Sequence, residues 1–368
     1  MNKGEKKRTI GIITYHRAIN YGAILQLYAL QKKIKDLGAK SVVIDYRNKK
    51  LENKHKKMKL SECKKVKDFA RYLFLSKHYN NKYDKFRNFS SRYFSLSEPF
   101  YNALEIKEKE KEYYRFITGS DQVWNYKING MDTTYLLDFV RDKNKKASYA
   151  ASFGVKKIPE EYWQKYKDLL KDFSFLSVRE KQGAQLLKDL ISREAEVVLD
   201  PTLLLSKEEW YNLAKKSFKP HLKYILVYAF GRSSNIFNLA NHISKKTGYK
   251  IVYISNTYNK NLKIYYVKSA GPEEFLDLFK NAEYIITNSF HGTAFSINFN
   301  KQFFIEMLPE SLGVNSRLED LLKLFGLQNR IITSSDADII NEINYEKVNT
   351  ILEIEREKSI NFLKNIIS

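Results

Sequence analysis

The tightest constraint on this chain is an alternation of buried strand and amphipathic helix that starts with its first apolar run. Arg8 to Tyr15 (RTIGIITY) is β-branched and bounded by polar residues, which predicts a buried strand. Tyr15 to Tyr21 reads as a loop. Gly22 to Leu37 places Ile24, Leu27, Tyr28, Leu30, Ile34 and Leu37 mostly three or four residues apart, the spacing of a helix, with Gly38 as its C-cap. Ser41 to Tyr46 (SVVIDY) is a second strand. Strand, helix and strand in this order make a right-handed βαβ unit, which requires a parallel sheet with helices on its faces.

The alternation continues. Residues 65–112 read as helical and charged, with aromatic anchors at Phe69, Tyr72, Tyr83, Phe86, Phe89 and Tyr93. Strands follow at 115–118, 146–151, 174–178 and 196–199, with a helix at 179–190. Asp200-Pro201 breaks the pattern, because proline disfavours helix in the residue before it. A second run has strands at 223–230, 250–255, 283–287 and 302–305. Its helices are at 235–247, 272–280, 290–298 and 316–325, and a long helix at 345–367 closes the chain. The expected architecture is therefore α/β: two tandem Rossmann-like domains with parallel sheets and a cleft between them. Residues 1–205 form the first, with a basic helical insertion at about 47–112, and residues 206–368 the second.

Composition narrows the function classes. A chain of 368 residues with 43% hydrophobic and 29% charged content is globular, and its single cysteine, Cys63, excludes an internal disulfide and a multi-cysteine metal site. No apolar run approaches the roughly 20 residues of a membrane span, and MNKGEKKRTIGIITY does not read as a signal peptide, so a cytoplasmic location is expected. Of the net charge of +22, residues 1–80 carry 21 Lys/Arg against 6 Asp/Glu. Residues 47–67 alone hold ten basic and two acidic side chains. This segment suits a solvated surface first, an anionic membrane face second and nucleic acid last, since no nucleic-acid motif accompanies it.

Four strand-to-helix junctions carry the candidate chemistry. His16, Arg17, Asn20 and Tyr21 precede a helix N-terminus, where free backbone N–H groups favour an anion or a sugar hydroxyl; Asn20 and Gly22 could equally shape the turn and cap the helix. In Thr118-Gly119-Ser120-Asp121-Gln122-Val123-Trp124, Asp121 could accept from hydroxyls and Trp124 could stack on a sugar. The rival reading makes Asp121 an N-cap and Trp124 a core residue. Arg179 could clamp a phosphate or carboxylate, or simply pair with a carboxylate of the chain. In Thr287-Asn288-Ser289-Phe290-His291-Gly292-Thr293, histidine beside glycine at a helix start suits proton exchange near neutral pH. Asn315-Ser316-Arg317 precedes another helix, with Ser316 as expected N-cap and Arg317 as an anion ligand or a surface residue. Asp336-Ala337-Asp338 has the form of a metal-binding DxD but lies far from any strong strand, and no GxxxxGK[ST] loop is present.

Together these segments resemble the polysaccharide pyruvyl transferase family. The matching stretches are GIITYHRAINYGAILQLYALQ (11–31), VVIDYR (42–47), FITGSDQVWN (116–125), KASYAASFG (146–154), FLSVREKQGAQLL (175–187), VVLDPTLLL (197–205), YIITNSFHGTAFSI (284–297) and NSRLEDLLKLFGL (315–327). The resemblance implies a fold similar to two-domain glycosyltransferases of the B type. It also implies transfer of pyruvate from phosphoenolpyruvate onto two hydroxyls of a hexose in a bacterial surface glycan, as a cyclic ketal. Carried over by motif, His291 is the main proton-transfer residue; ketal formation also needs further proton acceptors, for which either Asp121 or Glu273 is a candidate. Arg179 holds the donor, with Arg317 as a second candidate, and Ser289 stands where the family often has an arginine. Ser289, Asn315, Arg17, Asn20, Tyr21 and Trp124 are the further candidate substrate contacts that the junctions themselves offer. No metal or cofactor is implied beyond the donor itself. The acceptor would be a glycan or lipid-linked oligosaccharide at the inner membrane face, where 47–67 could dock. Other readings of the same scaffold are a nucleotide-sugar glycosyltransferase and a non-catalytic glycan-binding protein.

Overall fold

A computed structural model describes residues 8–63, 65–215, 222–231, 233–255, 264–332 and 342–368. Asp336-Ala337-Asp338 lies outside them. The chain divides into two compact units, the first comprising residues 1–54, 90–205 and 352–368 and the second 55–89 and 206–351. This differs from a simple tandem division at two places: 55–89 groups with the second unit and the end of the closing helix with the first.

The first unit is built on seven parallel strands: β1 (Thr9–Ile13), β2 (Lys40–Tyr46), β3 (Leu96–Phe100), β4 (Arg115–Asp121), β5 (Lys146–Ala151), β6 (Ser177–Val178) and β7 (Glu196–Val197). Their order across the sheet is β3-β2-β1-β4-β5-β6-β7. The central strands are buried on both faces, as their unbroken β-branched and small residues require; Ile10, Ile12, Phe116 and Ile117 have no exposed surface. Gly11 in β1 is needed because a Cβ there would lie 2.7 Å from the Phe116 ring. Residues 65–112, expected to be helical, contain a helix (Val66–Tyr93) but also β3. That strand (LSEPF) sits at the sheet edge, mostly exposed and carrying a proline, so it lacks the apolar signature of a strand. The end of the closing helix (Tyr345–Ile367) is fixed to this unit by Ser359, whose hydroxyl accepts from the Leu199 N–H at 2.9 Å. Arg356 adds a bond to the Leu203 carbonyl at 2.8 Å.

The second unit has five parallel strands, β8 (Tyr224–Tyr228), β9 (Lys250–Ile254), β10 (Ile264–Val267), β11 (Tyr284–Thr287) and β12 (Gln302–Ile305), in the order β10-β9-β8-β11-β12. The edge strand β10 was not expected from the sequence. Segment 55–89 is tied to this unit by Lys85, whose ammonium lies 2.6 Å from the Glu274 carboxylate. Among the described residues no helix is long and apolar enough to cross a membrane.

In both sheets the strand order reverses once, between β1 and β4 in the first unit and between β8 and β11 in the second. The carboxyl ends of the strands beside such a reversal are the usual ligand position in open α/β sheets.

Candidate functional site

Each unit places sequence-predicted residues at its own reversal point. In the first unit the loops after β1 and β4 are laced together. Thr14 Oγ1 donates to the Ser120 carbonyl at 3.0 Å, and Tyr15 donates to the Gln122 carbonyl at 2.8 Å. Gln26, fully buried, donates to Thr14 Oγ1 and accepts from the Ser120 N–H at 3.1 Å. Asn20 caps the helix Tyr21–Asp36 by accepting from the Ala23 N–H at 3.2 Å, and Tyr21 is buried at its start. Asn20 therefore acts as the cap of the turn reading.

His16 and Arg17 converge on Asp45 at the end of β2. His16 Nε2 lies 2.9 Å and Arg17 3.8 Å from Asp45 Oδ1, and Arg47 lies 2.9 Å from Oδ2. Burial alone would raise the Asp45 pKa, but hydrogen bonds from His16 and Arg47 outweigh it and hold the carboxyl well below its ordinary range. Arg17 also pairs with Glu52 at 2.6 Å, so its charge is already matched within the chain. The sequence reading missed Asp45; its signal was a carboxylate inside the otherwise apolar run SVVIDY.

Arg179 differs from the expected substrate ligand. Its side chain is 1% exposed and faces three carboxylates: Asp200 at 2.9 Å, Asp121 at 3.5 Å and Glu180 at 3.9 Å. Asp200 also accepts from Ser120 Oγ at 3.1 Å and Thr202 Oγ1 at 2.7 Å, and Glu180 accepts from Ser152 Oγ at 2.7 Å. One guanidinium among three acids leaves a net negative cage, which is unsuited to gripping a dianion. The geometry supports the ion-pair alternative, with Arg179 as a structural centre. Asp200 was read only as a chain break, yet it is the closest partner.

Asp121 is not an N-cap; that place belongs to Asn125, at the start of the short helix Tyr126–Asn129. Asp121 adopts φ of 75° and is the most exposed acid of the cage, at 13% of its side chain. Gly119 before it has φ of 115°, and a Cβ there would meet the Tyr149 carbonyl oxygen at 2.3 Å, so the loop needs glycine. Trp124 is 1% exposed, donates to the Tyr135 carbonyl and packs against Phe153 and Phe173. It is a core residue and offers no stacking face.

In the second unit, β11 runs into the helix Phe290–Asn298 beside the end of β8. Ser289 is the N-cap, its hydroxyl accepting from the Gly292 N–H at 3.4 Å, which explains serine at this position. Asn288 clamps the neighbouring loop in both directions, accepting from the Phe230 N–H at 2.7 Å and donating to the Phe230 carbonyl at 2.9 Å. Thr287 donates to the Tyr228 carbonyl at 2.5 Å. Gly292 lets the helix approach Thr287, since a Cβ would sit 2.3 Å from its hydroxyl oxygen. These contacts fix His291 in the first turn, 8% exposed, with the Phe290 ring perpendicular to it at 5.2 Å. His291 thus sits at a helix's positive end, where a negative ligand is favoured.

Asn315 does not present its amide to a ligand. Its Oδ1 accepts from the Leu308 N–H at 3.1 Å and its Nδ2 donates to the Leu308 carbonyl at 2.7 Å, stapling the preceding loop. It also takes the N-cap position expected for Ser316, without a side-chain cap bond. Arg317 lies half-buried in the first turn of that helix, Ser316–Phe325. Glu273 pairs with Lys215 at 2.7 Å. Among the described residues no group of three or more His, Cys, Asp or Glu is placed to hold a metal ion.

Solved structures with a similar course of chain include a UDP-GlcNAc 2-epimerase from Methanocaldococcus jannaschii, 16% identical, covering 94% of this chain and 98% of that one, with a TM-score of 0.43. A glycosyltransferase from Rickettsia africae is 14% identical over 99% of this chain and 96% of that one, with a TM-score of 0.47. The ADP-heptose LPS heptosyltransferase II of E. coli is 12% identical over 94% and 99%, with a TM-score of 0.38. No curated protein matches the chain. A family model does: the one described as polysaccharide pyruvyl transferase matches residues 20–305, which include β2, β4, the Arg179 cage and the histidine junction. The chain belongs to the polysaccharide pyruvyl transferase family.

Proposed function

We propose that this protein transfers pyruvyl from phosphoenolpyruvate to two hydroxyls of one hexose in a surface polysaccharide or its lipid-linked precursor. The observation that carries the reading is the family match, which runs through His291 at the head of a helix beside a strand-order reversal. The chemistry balances without a redox partner. One proton is added to the methylene carbon of the enol, the two sugar oxygens bond to the neighbouring carbon, and its bond to the phosphate oxygen breaks. Of the two hydroxyl protons released, one matches the proton gained by the new methyl group and the other leaves with phosphate.

His291 is the group suited to this traffic, since imidazole can give and take a proton near neutral pH. The adjoining helix end favours the negative charge of the donor. Arg317, in the first turn of the helix Ser316–Phe325, is proposed as a donor-binding residue, tested by substitution. Asp121, the most accessible acid of the Arg179 cage, is proposed to accept from an acceptor hydroxyl. The basic segment 47–67 is proposed to meet anionic lipid, which would suit a lipid-linked acceptor.

Incubation of the full-length protein with phosphoenolpyruvate and a panel of lipid-linked and model glycosides tests the reading. Acceptor-dependent phosphate release and a product heavier by the ketal group are expected. His291→Ala should lower turnover by about 10²–10⁴-fold while leaving the melting temperature unchanged. Undiminished turnover in a folded His291→Ala protein would remove that residue from the mechanism. Product formation from a nucleotide sugar instead of phosphoenolpyruvate would overturn the reading as a whole.

A further inference from the structure

We infer that the first unit carries a second binding site, for an acidic sugar, at the amino ends of β2 and β3. A surface pocket of about 670 Å³ opens there, within the range of about 300–1,000 Å³ common for small-ligand sites. Four cations line it: Lys32 and Lys35 from the helix Tyr21–Asp36, Lys40 at the start of β2, and Arg92 near the end of the helix Val66–Tyr93. Asp36 is the one acid of the lining, and it is paired with Lys32 at 3.0 Å. The lining therefore keeps a net positive charge, which selects an anion.

Gln31 adds a second, independent requirement. It lines the pocket, is 8% exposed, and its buried Oε1 has no hydrogen-bond partner. Its Nε2 makes only long contacts, 3.4 Å to the Ser41 carbonyl and 3.5 Å to Ser41 Oγ and the Ser95 carbonyl. A buried acceptor left without a donor costs about 1–3 kcal/mol, and because the Gln31 Nε2 is only loosely held, the amide can turn toward the pocket and accept from a ligand hydroxyl. Tyr28 and Tyr93, edge to face at 5.5 Å, add an aromatic wall against which a sugar ring can lie. A bare anion would satisfy the cations and leave Gln31 unmet; a neutral sugar would do the reverse. A sugar bearing a carboxylate or phosphate satisfies both.

The pocket lies at the opposite end of β2 from Asp45 and the strand-order reversal, about 17 Å away over the five steps from Lys40 to Asp45. It is thus placed to hold a saccharide unit other than one bound at the carboxyl ends of that sheet. That this unit belongs to the polymer being modified rests on the pyruvyl-transfer reading; the binding of an acidic sugar does not.

Calorimetric titration of the full-length protein tests the site with four probes: glucuronate, glucose 1-phosphate, glucose and inorganic phosphate. At least one acidic sugar should bind at least tenfold tighter than glucose and than inorganic phosphate, and more weakly as salt is added. Which of the two binds identifies the anionic group. Lys35 and Lys40 are exposed, so Lys35→Glu/Lys40→Glu should fold, as its melting temperature will check, and should lose binding at least tenfold. Gln31→Leu should abolish the preference for the sugar over inorganic phosphate. Equal binding of phosphate and the acidic sugars, unchanged binding in the folded double variant, or no binding of any probe would each overturn the proposal. Turnover of phosphoenolpyruvate on a short acceptor should be unaffected by the double variant. If acidic sugars bind here while phosphoenolpyruvate is never consumed, the site stands and the pyruvyl-transfer reading fails.

Discussion

Both strand-order reversals are bridged by neutral hydrogen bonds, but the first is also flanked by clustered ion pairs. In the first unit the carboxyl ends of the strands are wired by charge: Asp45 gathers His16, Arg17 and Arg47, and Arg179 gathers Asp121, Glu180 and Asp200. At the second unit's histidine junction the described contacts are neutral: Thr287 to Tyr228, Asn288 to Phe230, and Ser289 to Gly292. Removing one partner of a buried charge cluster leaves the others uncompensated, so the charged clusters are intolerant of single losses. Neutral bonds hold a loop at lower cost and leave the nearby imidazole as the ionisable side chain of the junction sequence 287–293. A family member thus presents two parallel sheets with similar strand order and distinct chemistry at their ends.

Substitutions can break this contrast in graded steps. Arg179→Leu should have the largest effect, because three buried carboxylates lose their shared cation; a loss of about 3–5 kcal/mol in denaturant unfolding is expected. A stability within 1 kcal/mol or so of wild type would show that the cage does not hold the first unit together. Asn288→Ala should cost less, about 1–3 kcal/mol, since it leaves two neutral backbone groups of Phe230 unmet, and added salt should not change that cost.

Asp45→Asn sharpens the comparison through pH. The Asp45 pKa is depressed in the folded protein, so its stabilising contribution is complete above the unfolded carboxylate value of about 3.9 and fades as pH falls below it. Wild type should therefore lose stability from about pH 5 downward more steeply than Asp45→Asn. Equal slopes in the two proteins would show that the His16–Asp45–Arg47 knot is not a source of acid sensitivity.

Per residue, the smallest effect is expected at the basic surface. Lys56 pairs with Glu62 and Lys57 with Asp84, both in exposed settings. Neutralising Lys54, Lys56, Lys57 and Lys59 should reduce flotation with anionic vesicles by at most about 1 kcal/mol per residue, and salt should reduce wild-type flotation likewise. Equal flotation with neutral vesicles would remove the lipid proposal.

Strands such as β1, β2, β4 and β8 were legible because they are buried and β-branched, and helices such as Pro272–Asn281 because their apolar residues recur at helical spacing. Two edge strands were not: β3 carries Pro99 and is mostly exposed, and three of the four β10 residues are partly or fully exposed. At the site, local chemistry was readable and long-range partnership was not. The junctions containing Asn20, Asp121 and His291 could be named from a strand followed by small polar residues. The sequence could not reveal that Arg179 would meet Asp200, 21 residues away, because pairing of that kind depends on the completed sheet. Asn315 illustrates the converse error, a polar residue at a helix start whose hydrogen bonds are spent on the chain itself.

The helices Val66–Tyr93 and Tyr345–Ile367 each begin in the second unit and end in the first. A gene cut between codons 205 and 206 would therefore yield two fragments, each carrying a segment that packs with the other and lacking one of its own. Swapping halves between relatives at that point would exchange incomplete parts, so successful chimaeras should need crossovers near residues 54, 89 and 351 as well.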